Sequence, residues 1–193
     1  DTSYYQSYYA LATKTNIVNS LNWLVGVADS DDHIAVIFAG HGGQIGETTE
    51  TYFVTWEESY LYDSEIASIL ATAVARRIFL FLDFCHSGGF LDDLENMDNS
   101  VNVFATSACP YNYGCAESST LQNGIWTYYY ILEWNGLIRS YGCNVAQEIV
   151  YDEAFDSFME FVTKNYNNWP SENKPQKYDG NPNGGFVIGP KLW

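Results

Sequence analysis

The sequence predicts an α/β fold with a mostly parallel central sheet, and three observations predict it. The runs "HIAVIFAG" (33–40), "RRIFLFLDF" (76–84) and "VNVFATSA" (101–108) are nearly continuous in apolar residues, as strands covered on both faces are. Segments with helical spacing separate or follow them. The first two runs end in glycine clusters that also carry chemically active side chains, "GHGG" (40–43) and "CHSGG" (85–89). In open parallel sheets, ligands bind beyond the carboxyl ends of the strands.

The elements follow in order. Ile17, Leu21 and Leu24, with Val18 and Val25 beside them, mark a helix within 13–28 that Thr13 or Thr15 can cap. The strand at 33–40 comes next. Ile66, Ile69, Leu70 and Val74 line one face of a helix over 63–75, with Asp63 as its cap. The strands at 76–84 and 101–108 follow, then helices over 124–137 and 145–166. Ile149, Phe155, Phe158, Phe161 and Val162 supply much of the apolar face of the last helix. A turn-rich link, "PQKYDGNPNGG" (175–185), leads to a final short strand, "FVIG" (186–189).

A chain of 193 residues corresponds to about one domain and is long enough to bury a core. Its hydrophobic fraction of 47% excludes a disordered chain. No run approaches the roughly 18 apolar residues of a membrane span. Eight Lys and Arg stand against 24 Asp and Glu, for a formal charge of −16. Such a surface is a poor partner for phosphate-rich nucleic acid or anionic membranes and attracts cationic ligands. Two acidic clusters, Asp29-Asp31-Asp32 and Asp92-Asp93-Glu95-Asp98, offer hard oxygen ligands without the spacing of an EF-hand. They are expected to be solvated charge: no cofactor is required, although calcium is a conceivable ligand.

The chemistry concentrates at the ends of two strands. Cys85 is a potential nucleophile and His41 a potential proton shuttle, and adjacent parallel strands would set both on one rim. The glycines beside them let backbone approach a substrate closely, so the N–H groups of Gly42 and Cys85 could face a developing oxyanion. If Cys85 stays free, Cys109, Cys115 and Cys143 remain. One disulfide among these three is expected, with Cys115–Cys143 as the pairing, and it suits a secreted or extracellular protein; four free thiols in a cytoplasmic protein is the alternative.

Together, "HIAVIFAGHGG" and "RRIFLFLDFCHSGGF" resemble the paired motifs of the caspase–metacaspase–legumain–clostripain clan of cysteine peptidases, and most of all the metacaspase-like proteins of archaea and bacteria. The stretches "ATKTNIVNSLNWL", "NGIWTYYYILE" and "PQKYDGNP" resemble that group as well, and "TSACPYNYGCAES" is similar to a legumain segment. The resemblance implies a caspase-like three-layer α/β/α sandwich acting as a cysteine endopeptidase on peptide or protein substrates. It implies His41 as general base and acid, Cys85 as nucleophile, and Gly42 and Cys85 as the oxyanion hole. It places Asp83 in the S1 pocket, facing a P1 Arg or Lys, with Ser107 and Glu117 in the pocket wall. A legumain-like preference for Asn is the rival specificity, and a catalytically silent binding module with the same fold is the rival class. The clan's core begins with a strand and helix ahead of "ATKTN". The 193 residues are therefore expected to be a single peptidase domain without that N-terminal segment, and maturation by cleavage is expected by the same resemblance.

Overall fold

The computed structural model describes residues 10–142 and 144–187. Its main sheet has four strands in the order β1-β5-β6-β9: β1 (His33–Ala39), β5 (Arg77–Asp83), β6 (Val103–Ser107) and β9 (Gln176–Asp179). The first three are parallel and β9 is antiparallel to β6. The sheet is thus mixed and mostly parallel.

Helices cover both faces. On one side α1 (Lys14–Val27), α2 (Asp63–Leu70) and α3 (Phe90–Glu95) pack on Ile34, Val36, Phe38, Ile78, Leu80 and Leu82. On the other, α4 (Ile125–Tyr141) and α5 (Gln147–Asn165) bury Phe79, Phe81 and Phe104 under Trp126, Tyr130, Val150 and Phe158. The alternation of side chains along β5 sends Ile78, Leu80 and Leu82 to one layer and Phe79 and Phe81 to the other. The large aromatics keep their polar tips paired. Trp126 Nε1 donates to Thr106 Oγ1 at 3.2 Å and the Tyr130 hydroxyl to Gln147 Oε1 at 2.8 Å, as buried polar groups require.

Several sequence expectations meet the structure with adjusted boundaries. Thr13 caps α1, accepting the Asn16 amide at 3.2 Å. The second helix stops at Leu70, leaving Val74 67% exposed in the connection. Its cap position is Tyr62 rather than Asp63: Asp63 is the first helical residue, and Glu65 Oε2 accepts the Tyr62 amide at 3.0 Å. The segment read as a turn-rich link contains β9, and the apolar stretch after it contributes an isolated bridge between Val187 and Ala146. Residues 188 and 189 of that expected strand lie outside the described residues.

Among the described residues, the apolar run at 33–40 is not covered on both faces. Among the described residues β1 pairs with β5 alone, and its burial alternates, Ile34, Val36 and Phe38 inward and Ile37 67% exposed. Composition alone reads the same for a central strand and for an edge strand with an open face; only the layer order separates them.

Between β1 and α2 the chain makes a small antiparallel sheet of β2 (Gly42–Gln44), β3 (Thr51–Val54) and β4 (Tyr60–Tyr62). A hairpin of β7 (Glu117–Ser118) and β8 (Asn123–Gly124) precedes α4. Both flank the carboxyl ends of β1 and β5, and so they shape the site.

Candidate active site

The register of β1 on β5 runs from His33↔Arg77 to Ala39↔Asp83, so the two strands end together. Gly40 continues the ladder by donating to the Asp83 carbonyl at 3.2 Å. The residues that follow each strand therefore emerge side by side. They line a cleft of about 400 Å³ formed by Ala39–His41 and Asp83–Cys85 on one side and by Cys115–Glu117, Asn123, Gly124 and Thr127 on the other. His41 and Cys85, 44 positions apart in sequence, open into this same cleft.

Cys85 is a free thiol, half-buried. Phe84 anchors it from below: that ring is 1% exposed and packs edge-on against Phe53 and Phe90, with centroids 5.3 and 5.2 Å away. His86, next in the chain, takes a left-handed conformation with φ 66° and ψ 12°, a costly geometry for a non-glycine residue. Two bonds hold it: its amide donates to the Tyr113 carbonyl at 2.9 Å, and its Nδ1 lies 2.7 Å from the Tyr111 carbonyl. A carbonyl only accepts, so Nδ1 carries the proton. His86 is committed to the 109–115 loop.

That loop is closed by a disulfide. Cys115 is bonded to Cys109, with Cα atoms 5.5 Å apart. This corrects the expected Cys115–Cys143 pairing; Cys143 itself lies outside the described residues. The five intervening residues, including Pro110 and Gly114, bring Cys109 and Cys115 within bonding distance. The loop folds over Cys85, and the Cys115 amide donates to Cys85 Sγ at 3.3 Å.

Gly42 packs closely against the chain's own residues. A Cβ there would collide with the Phe84 ring and crowd the Cys85 carbonyl. Gly42 also stands opposite Phe53, while the neighbouring His41 carbonyl accepts from the Val54 amide at 2.8 Å. In an antiparallel ladder that pattern makes Gly42 a non-hydrogen-bonded position, with its N–H turned away from β3.

Asp83 sits at the floor of the cleft. Burial raises its carboxyl above the ordinary range, Thr127 opposes this by hydrogen bonding to the charged form, and Glu117 adds to the rise. Glu117 is brought to the rim by the β7–β8 pairing, which sets it opposite Gly124. Of the residues expected in the pocket wall, Glu117 lines the cleft and Ser107 does not. Ser107 is fully buried at the end of β6, its hydroxyl donating to the Cys109 carbonyl at 3.3 Å; it supports the disulfide segment from beneath. Thr127 and Gly124 were not singled out in the sequence, because a Thr and a Gly at a helix start carry no chemical signature of their own.

A second group of acids lies apart from the cleft. Asp63 is buried and accepts the Thr51 amide and hydroxyl at 2.6 and 2.9 Å. Burial and the Asp63 and Asp92 carboxylates push Asp93 up to about 6. Among the described residues, no group of three or more His, Cys, Asp or Glu side chains is arranged to hold a metal ion, and no helix is long and apolar enough to cross a membrane.

Residues 1–94, just under half the chain, match the family model described as metacaspase, peptidase C14 domain; the matched span includes His41, Asp83 and Cys85. The chain is similar to Metacaspase-1 of Eremothecium gossypii, 34% identical over 94 residues, which cover 42% of this chain and 21% of that protein. It is 30% identical to Metacaspase-1 of Schizosaccharomyces pombe over 95 residues, covering 43% of this chain and 22% of that protein. The matched part thus spans about a fifth of the length of these curated relatives. A crystal structure of a Geobacter sulfurreducens protein superposes with a TM-score of 0.55 at 15% identity, over 86% of this chain and 73% of that one, a likeness of fold.

Proposed function

We propose that the chain is a cysteine endopeptidase of the caspase-like clan, with a His41/Cys85 dyad that cleaves peptides after Arg or Lys; the metacaspase match over residues 1–94 supports this reading. The observation that carries this reading is the in-register ending of β1 and β5, which opens His41 and Cys85 into one cleft.

His41 takes the Cys85 proton as sulfur attacks the scissile carbonyl carbon. The carbonyl oxygen becomes an oxyanion facing the N–H groups of Gly42 and Cys85, where each such donor contributes about 3 kcal/mol to the transition state. The C–N bond then breaks, His41 gives its proton to the departing amine, and a thioester remains on Cys85. Water adds to the thioester with His41 again taking a proton, and the carboxylic acid product leaves as the thiol is restored. The reaction needs no cofactor.

In this reading Asp83 receives the P1 side chain. A guanidinium or ammonium pairs with the carboxylate in a partly desolvated site, whereas a neutral side chain leaves it unpaired. Ser107 is turned away from the cleft, which removes one of the polar groups that an asparaginyl pocket of the legumain type would use. The Cys109–Cys115 disulfide supports an oxidising, extracellular setting.

The test is direct. Wild type, Cys85→Ala and His41→Ala are assayed on fluorogenic peptides differing only at P1, beside labelling with an iodoacetamide probe. Cys85→Ala should abolish turnover and His41→Ala should lower it by orders of magnitude. Turnover near wild type in Cys85→Ala would retire the peptidase reading in favour of a binding module.

A further inference from the structure

The floor of the cleft contains an arrangement that the dyad does not account for. Asp83 ends β5, yet one of its oxygens is already occupied: the Thr127 hydroxyl donates to Asp83 Oδ2. Thr127 is the third residue of α4, a helix of 17 residues whose cap residue, Gly124, has no side chain to offer. The first amides of a helix lack partners within it and carry partial positive charge. The Asp83 carboxylate therefore stands where a capping side chain would, and the Thr127 amide favours its charged form along with the hydroxyl. Gly124 completes the seat. A Cβ at that position would collide with Asp83 Oδ2, so α4 can begin this close to the carboxylate only with glycine there.

We propose that Thr127 is the positioning residue of the P1 pocket: it holds Asp83 by Oδ2 and leaves Oδ1 to receive the substrate's cationic group. This rests on the reading of Asp83 as the P1 partner. Burial disfavours charge on Asp83, and Glu117 across the cleft disfavours it further. The other titratable groups around the cleft are His41 and Cys85. Without the Thr127 donor, the carboxyl would hold its proton to higher pH and would be free to rotate away from the incoming side chain.

Thr127→Val keeps the branched shape and removes only the hydroxyl donor, while Thr127→Ser restores it. On a P1-Arg peptide, Thr127→Val should raise KM about tenfold, the scale of one hydrogen bond to a charged group. The acid limb of kcat/KM should move to higher pH. Turnover of a P1-Ala peptide should fall far less than that of the P1-Arg peptide, and Thr127→Ser should recover most of the loss. An activity-independent arm titrates the Asp83 carboxyl by carbon NMR in Cys85→Ala protein, where adding Thr127→Val should raise the midpoint. An unchanged midpoint, or an unchanged KM for Arg, would overturn the role given to Thr127. A wild-type enzyme with no preference for Arg or Lys would overturn the pocket reading itself, and the titration would still decide whether Thr127 holds Asp83.

Discussion

The Cys115 amide donates to Cys85 Sγ at 3.3 Å, and Cys115 is in turn tied to Cys109. A loop closed by a disulfide therefore sets the orientation of the Cys85 thiol. The same loop takes both hydrogen bonds of His86, and its Gly114 carbonyl accepts from Asn173 Nδ2 at 3.2 Å. Opening Cys109–Cys115 should loosen the wall of the cleft, and Cys109→Ala should lower kcat/KM at least tenfold with iodoacetamide still reaching Cys85. Activity that is unaltered in Cys109→Ala, with thiol counting confirming the open loop, would count against this role.

Asp83→Asn should cost activity selectively. On the scale of one lost charge pair in a partly buried site, cleavage after Arg should fall by about two orders of magnitude, and cleavage after a neutral residue far less. High salt should also weaken the attraction of the acidic surface for basic peptides. A P1 panel in which Asn exceeds Arg would reverse the specificity and leave the His41/Cys85 mechanism standing.

Gly124→Ala should mimic the loss of Asp83. The added methyl meets the Asp83 carboxylate directly, so either α4 or the acid must shift. The expected result is lost cleavage after Arg in a protein whose far-ultraviolet circular dichroism is unchanged, because α4 remains held by Trp126 and Tyr130 in the core. Full activity on Arg peptides would mean that the seat yields freely.

Phe84→Ala should destabilise the fold by about 3–5 kcal/mol, as truncating a buried aromatic does. Its ring joins Phe53 under the small sheet to Phe90 at the start of α3. Chemical denaturation would measure it, and a loss under 1 kcal/mol would indicate that the site is less tightly supported than its packing implies.

Asp93 links stability to pH. Its carboxyl is raised to about 6 from 3.8, so the folded state holds this proton more tightly than the unfolded chain. Its contribution is greatest at low pH and is lost as pH rises between those two values. Asp93→Asn should therefore raise Tm at pH 7.5, with the gain shrinking toward pH 4. A gain that is equal at both pH values would assign the effect to packing instead.

The sequence by itself determined the layers and the convergence of His41, Asp83 and Cys85 on one cleft. Apolar runs that stop at Asp83-Phe84-Cys85 and at Gly40-His41 are local patterns, and parallel strands bring such ends to one rim. The helices within 13–28, 63–75, 124–137 and 145–166 were legible from their spacing, with ends displaced by a few residues. Tertiary structure alone decided the rest, because each remaining feature depends on partners far apart in the chain. The open face of β1 follows from the α4 and α5 layer packing on β5 and β6 and not on β1 among the described residues, the disulfide partner of Cys115 from how a turn closes over Cys85, and the burial of Ser107 from the segment stacked on β6. The hold of Thr127 on Asp83 joins residues 44 positions apart, through a helix start whose amides need an acceptor and a buried acid that needs donors. No spacing in the sequence encodes that meeting.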